Sequence, residues 1–148
     1  MKKIIFLLLL IAASCADESP RFTIPVAPVN LRIDVNGYDY ELKTPLSYKI
    51  FTENMRRSES DRFGFAGVFL VSDANGSSIF AYDLCCPYED KRDVTVVPRA
   101  DGKARCSSCG SIFVTMYGLG SVESGVATEP LQSYKVVPLQ QGSYRILN

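Results

Sequence analysis

Hydrophobic and polar residues alternate in short runs along most of this chain, and dipeptides suited to tight turns separate the runs. Val29, Leu31, Ile33 and Val35 alternate with polar neighbours up to Asn36-Gly37, and Tyr38, Tyr40 and Leu42 continue the alternation beyond it. Period-two alternation presents one face of a strand to a core, and Asn-Gly accepts the positive φ of a two-residue turn, so this stretch predicts a β-hairpin. A second hairpin is expected from residues 67–71, through Asn75-Gly76, to residues 79–82. A third pairs residues 94–97 with the segment entering Cys106, around Asp101-Gly102, and a fourth joins residues 134–137 to 144–147 across Gln141-Gly142. No window carries a long apolar stripe at helical spacing, and residues 52–61 alone suggest a short helical turn. Regularly spaced hairpins predict an all-β, antiparallel sandwich or barrel. There is no internal repeat, low-complexity tract or second domain boundary.

The first residues follow a different pattern. Lys2 and Lys3 precede an uncharged apolar run over residues 4–11, and Ala12, Ala13 and Ser14 lead into Cys15. This is the layout of a secretory signal, too short to span a bilayer as a mature helix. A cysteine directly after small residues resembles the bacterial lipobox, with Ala12 where that pattern more often has Leu. The resemblance implies cleavage before Cys15 and acylation of its thiol and new amino terminus; several acyl chains anchor stably where one is marginal. The expected organisation is a signal segment over 1–14, a lipidated tether over 15–28 with Pro20, Pro25 and Pro28, and one domain over 29–148. Asp17 and Glu18 close behind the cysteine resemble surface-export signals of Bacteroidetes-like lipoproteins. The expectation is export and lipid attachment to a bacterial outer membrane, facing the periplasm or the surface.

Without residues 1–14, which include two lysines, 134 residues remain with 14 basic and 16 acidic side chains. A charge so close to balance gives no electrostatic reason to expect nucleic acid as a partner. The length suits one domain with a real core, and no second apolar stretch approaches membrane-spanning length.

Chemistry is concentrated in the cysteines. Beyond Cys15 there are four, in two clusters with a predicted hairpin between them: Cys85-Cys86 and Cys106-Ser107-Ser108-Cys109-Gly110. Two thiolates two residues apart, followed by a glycine that permits a tight turn, form a knuckle that serves zinc and iron alike. Cys-x-x-Cys also occurs in thiol–disulfide oxidoreductases, where the motif opens a helix that lowers the thiol pKa. Here the β-rich run Ile112-Phe113-Val114-Thr115-Met116 follows, which argues against that use. The chain contains no histidine, so it lacks the usual general acid–base, and no nucleophile–base constellation stands out. A binding or electron-transfer module is expected rather than a stand-alone enzyme.

The second half resembles the Rieske iron–sulfur domain. That family carries Cys-x-His, a spacer, then Cys-x-x-His followed by Gly-Ser. Here Cys86-Pro87-Tyr88 stands in the first place and Cys106-Ser107-Ser108-Cys109-Gly110-Ser111 in the second. Ser124-Gly125-Val126-Ala127, Pro130-Leu131 and Tyr134-Lys135-Val136 look like the family's closing signature, with Val126 in a proline position. The resemblance spans about residues 29–148 and implies a Rieske-like β-sandwich with a small cluster-binding subdomain. Both histidine-ligand positions are replaced, by Tyr88 and Cys109, which excludes the family's usual His-ligated cluster. Ser108 occupies one position of the disulfide found in some members, so that bridge is not expected.

Three states of the site follow. In the first, a 2Fe–2S cluster binds with Cys86 and Cys106 on one iron and Cys109 plus Cys85 or Tyr88 on the other. Such ligation would place its potential near about −400 mV, far below the about −150 to +300 mV of His-ligated clusters. In the second, four thiolates hold a single zinc or iron ion; the adjacent pair Cys85-Cys86 is its weak point, because neighbouring residues rarely aim at one metal. In the third, no metal binds and the thiols are free or paired, as an oxidising compartment favours. The resemblance also implies that Ser111 donates a hydrogen bond to cluster sulfur, while a plain turn serine is the alternative. Cys85 is a ligand, a disulfide partner or a small buried hydrophobe.

Elsewhere, Arg56-Arg57 and Asp90-Lys91-Arg92-Asp93 read as solvated loop charges, Gly64-Phe65-Ala66-Gly67 as a site of close backbone packing, and the aromatic residues as core and rim. Two functional classes stay open: a membrane-anchored electron-transfer or redox protein serving an unidentified protein partner, and a metal-free or single-metal binding or structural lipoprotein on the same scaffold.

Overall fold

The structure, a computed structural model, describes residues 23–148. The signal segment expected over 1–14, the expected lipidation site Cys15 and the rest of residues 15–22 lie outside the described residues. The fold is all-β and antiparallel, with strands β1 (Val29–Asp34), β2 (Tyr48–Phe51), β3 (Arg62–Phe63), β4 (Val68–Ser72), β5 (Ile79–Asp83), β6 (Val96–Pro98), β7 (Lys103–Cys106), β8 (Ile112–Val114), β9 (Ser121–Ser124), β10 (Ser133–Pro138) and β11 (Ser143–Leu147). Seven strands form one curled, nearly closed sheet in the order β2-β4-β5-β10-β11-β1-β3. The other four form a small meander, β6-β7-β8-β9. This small sheet is inserted between β5 and β10, which pair with each other in the large sheet through Ser133↔Tyr82 and Tyr134↔Ala81. Both ends of the insertion therefore return to one place.

Two cores follow from strand alternation. Val29, Leu31 and Ile33 of β1 join Phe51, Phe63, Val68, Leu70, Ala81 and Ile146 inside the curl of the large sheet. Phe69 and Val71, the alternate residues of β4, face the other way and pack with Tyr82, Leu84, Val96, Ala104, Phe113 and Leu131 beneath the small sheet. β4 thus separates the two cores and is buried along its whole length, which is why its sequence is a continuous apolar run and not an alternation. Burying a side chain of the size of Leu70 or Phe69 contributes about 1.5–3 kcal/mol. Phe69 and Tyr82 stack with ring centroids 5.3 Å apart, and the Tyr82 hydroxyl donates to the Thr115 carbonyl at 2.8 Å, tying β5 to the small sheet.

Three of the four expected hairpins form, as β4/β5, β6/β7 and β10/β11. The last turns through Gln141 (φ 58°) and Gly142 (φ 74°), the pair of positive φ values a tight hairpin demands. The hairpin expected at Asn36-Gly37 does not form. Neither residue has positive φ, and Tyr40–Lys43 is a 3-10 turn, not a strand. The Asp34 carbonyl accepts N–H groups from Gly37 and Asp39, and the chain folds over on itself so that Leu42 is buried while Tyr38 and Tyr40 remain exposed. The partners of β1 come from far along the chain: β11, with Leu31 opposite Ile146, and β3. A short 3-10 turn at Glu53–Met55 falls within the predicted 52–61 segment.

The reading of Arg56-Arg57 as solvated charges is also corrected. The Arg57 guanidinium donates to both oxygens of Asp39, at 2.8 and 2.9 Å, and Asp39 is fully buried. Lys49 reaches the same carboxylate at 3.0 Å and Glu41 at 2.7 Å. Burial would raise the Asp39 pKa, but the Arg57 hydrogen bonds, the Asp34 N–H and Lys49 together hold it below the ordinary carboxylate value. Arg56 pairs with Glu53 and donates to the Asp61 carbonyl.

Chain leading into β1 also lies against the domain. The Thr23 N–H donates to Gln132 Oε1 at 3.1 Å, Ile24 is buried, and the Asn148 side chain bonds both Val29 and Ala27.

Candidate metal site

The cysteines lie on two loops at the edge of the small sheet. The first follows β5: an isolated bridge between Cys85 and Thr95 closes its base, and the Cys86 N–H donates to the Val94 carbonyl at 3.2 Å. The second is the turn between β7 and β8, closed by the Cys106 N–H on the Ser111 carbonyl at 2.9 Å. Gly110 takes φ 74° in that turn, where a side chain would be strained. A strand follows it, β8, and not a helix. Ser107 fastens the second loop to the first, its N–H and hydroxyl both donating to the Thr95 carbonyl.

This arrangement brings three thiols together. The sulfurs of Cys86, Cys106 and Cys109 all lie within 4.8 Å of one another, and Cys86 Sγ is 3.7 Å from Cys109 Sγ. Cys86 and Cys106 are buried, and Cys109 is partly exposed. Such a group is able to hold a metal ion. Metal–sulfur bonds of about 2.3 Å at tetrahedral angles put neighbouring sulfurs about 3.8 Å apart, a spacing the Cys86–Cys109 separation matches.

Cys85 is not part of the group. The Cys85 thiol faces the carbonyls of Lys91 and Cys86, at 3.4 and 3.5 Å, and is fully buried. Consecutive residues in extended chain point to opposite sides, so once Cys86 faces the group Cys85 turns from it. Tyr88 is 56% exposed.

Burial, then the nearby Asp83 and Asp90 carboxylates, push the Cys85 thiol up to about 12. Burial also pushes Cys86 up to about 12, against N–H groups of Glu89 and Tyr88 that face its sulfur. At Cys109 burial acts the same way, but the Ser111 hydroxyl and N–H, with the neighbouring thiols, outweigh it and lower the pKa. Cys109 therefore gives up its proton more readily than Cys86.

Ser111 is fully buried, with its Oγ 3.2 Å from Cys109 Sγ. That oxygen already accepts the N–H groups of Val126 and Ala127, each at 3.1 Å. Its own proton is thus the one left to point at sulfur. Gly125 permits this approach: a Cβ there would stand 2.5 Å from Ser111 Oγ.

One residue of the site did not stand out in the sequence. The fully buried Asp83, last in β5, accepts N–H groups from Phe65 (2.7 Å), Ala66 (3.1 Å) and Cys85 (2.8 Å) and the Tyr134 hydroxyl at 2.7 Å. It fixes the backbone immediately before Cys86 and joins it to the large sheet. Burial raises its pKa, partly offset by those four donors. The Gly64–Gly67 loop wraps it as closely as its composition suggests, since a Cβ on Gly64 would stand 2.5 Å from Asp83 Oδ2. The available signal was an acidic residue ending a strand just before a cysteine pair, which alone does not distinguish a buried anchor from a surface charge.

Comparison with family models, with characterised proteins and with solved structures returns no match. Fold and site by themselves define an all-β protein with three convergent cysteines, a group able to hold a metal ion, at the edge of an inserted small sheet.

Proposed function

We propose that this is an exported, lipid-anchored, Rieske-like protein in which Cys86, Cys106 and Cys109 hold one thiophilic metal ion, iron or zinc. The observation that carries the reading is the convergence of three sulfurs within 4.8 Å, with one edge of 3.7 Å. Iron would let the site pass single electrons to a protein partner; zinc would brace the two loops. Three protein thiolates leave one position of a tetrahedral ion for an external ligand. The lipid on Cys15 would hold the domain at a bacterial membrane.

A 2Fe–2S electron carrier is the second reading, favoured by the Ser111 hydroxyl beside Cys109 sulfur, as the family resemblance implies. It fits the thiols less well. Cys109 would have to move onto a second iron, away from Cys86, and Cys85 faces elsewhere, leaving Tyr88 or an external group as the fourth donor.

Metal and acid-labile sulfide content, with an absorbance spectrum, on protein purified without oxygen separates these readings. One metal without sulfide is the expected result; two irons with two sulfides make the protein a cluster-based carrier; protein that holds no metal even after anaerobic reconstitution overturns both. Cys106→Ser should abolish metal binding, and full metal content in that variant would remove the site assignment. Cys15→Ser should release the protein from membranes without changing its metal content.

A further inference from the structure

The outer face of the small sheet carries a groove whose chemistry is distinct from that of the thiols behind it. Along β7 the buried residues Ala104 and Cys106 point inward, so Arg105 between them points out. Val97 of β6 lies opposite it in register and is 54% exposed. The groove, about 630 Å³, is lined by Val97, Arg99, Arg105, Ser107, Ser108 and Gly110, together with Cys106. Two guanidinium groups line it and no carboxylate does.

These cations are available. Arg105 has no carboxylate partner among the described residues, and its guanidinium lies 3.6 Å from the position a Gly110 Cβ would occupy, against the turn. Among the described residues Arg99 pairs only with Asp101, at 3.1 Å, and both side chains are about half exposed; such a pair is worth about 0–1 kcal/mol and yields readily to a better anion. Ser107, Ser108 and Gly110 of the turn complete the lining beside the two guanidinium groups. Guanidinium forks beside serine residues and an apolar floor are the chemistry that recognises a planar or tetrahedral oxyanion.

We propose that this groove binds a small molecule carrying a carboxylate or phosphate group, held by Arg105 and Arg99, with its apolar part against Val97. The groove adjoins the thiol group through Cys106, but the groups proposed to hold the anion are guanidinium groups and not thiols.

The test is a titration of the mature protein with inorganic phosphate and, separately, succinate, followed by amide chemical shifts against chloride of matched ionic strength. Saturable shifts centred on residues 105–110 are expected for at least one anion, and the preferred anion identifies the ligand class. Arg105→Gln, a change at an exposed position, should weaken binding by about tenfold or more with metal content unchanged. Shifts that follow ionic strength whatever the anion, or saturable binding unaltered in both Arg105→Gln and Arg99→Gln, would overturn the proposal. Metal content measured on the same samples is read independently, so an empty metal site with intact anion binding leaves the groove standing.

Discussion

The two cores of this protein are built from different materials. The one inside the large sheet is hydrocarbon throughout, from Val29 and Leu31 to Phe63, Leu70 and Ile146. The one beneath the small sheet places Cys86 and Cys106 among Phe69, Val96 and Phe113, with Cys109 packed against its edge. Hydrocarbon needs only to be buried. A thiol in the interior packs as a small hydrophobe, but three thiols within 4.8 Å of one another are a poor use of core volume unless something binds them. The large sheet should hold itself together, and the small sheet should depend on what its sulfurs hold.

Asp83 is where that contrast is most exposed to test, because it belongs to both halves. All four of its partners are donors, three N–H groups and the Tyr134 hydroxyl. Asp83→Asn would replace an acceptor oxygen with an amide nitrogen that also donates, leaving buried donors unmatched at about 1–3 kcal/mol each. We expect at least about 3 kcal/mol of destabilisation in urea unfolding, with metal affinity reduced as well because the Cys85 backbone is released. Loss of stability without loss of metal affinity would mean that Asp83 serves the large sheet alone.

On the proposed metal reading, metal removal should divide the two halves. A ligand present at a hundred to a thousand times its dissociation constant stabilises the state that binds it by about 3–4 kcal/mol. Chelation should therefore lower amide-exchange protection in β6 to β9 and leave β1, β10 and β11 near their original values. Protection falling equally across both sheets would show one cooperative unit and remove the distinction drawn above.

Much of this contrast was legible in the sequence, and the exceptions share a physical cause. Asn75-Gly76, Asp101-Gly102 and Gln141-Gly142 announced their hairpins because the flanking strands pair locally. Asn36-Gly37 carried the same signal and failed, because β1 finds its partners in β11 and β3 and because Asp39 is drawn inward by Arg57. Neither a pairing across more than a hundred residues nor a buried ion pair between residues 39 and 57 leaves a periodic trace. At the site, the spacing of Cys86, Cys106 and Cys109 sufficed to nominate them. The direction of Cys85 depends on backbone geometry set by Asp83 and by the bridge to Thr95, which composition does not encode.

The smallest expected effect concerns pH, and it sharpens the comparison through two carboxylates of opposite sign. Asp39 sits between cations in the large-sheet half, and its pKa is lowered: burial opposes this, but Arg57, the Asp34 N–H and Lys49 prevail. A depressed carboxylate contributes stability above its unfolded value, about 3.9, and loses it as pH falls through the folded value. Asp83 has no ion-pair partner among the described residues, and burial raises its pKa, so its contribution is present in acid and lost as pH rises through its folded value. Asp39→Asn should cost about 2 kcal/mol at pH 7, less than a fully buried pair because Arg57 and Lys49 keep some contact with water. That deficit should shrink steadily below about pH 4, while an Asp83 variant measured alongside should show no such narrowing. Urea midpoints at pH 7, 4 and 3 for both variants decide it. A deficit at Asp39 that does not change with pH would mean that the cluster acts through packing and hydrogen bonding alone, and that the large half owes as little to charge as its hydrocarbon core suggests.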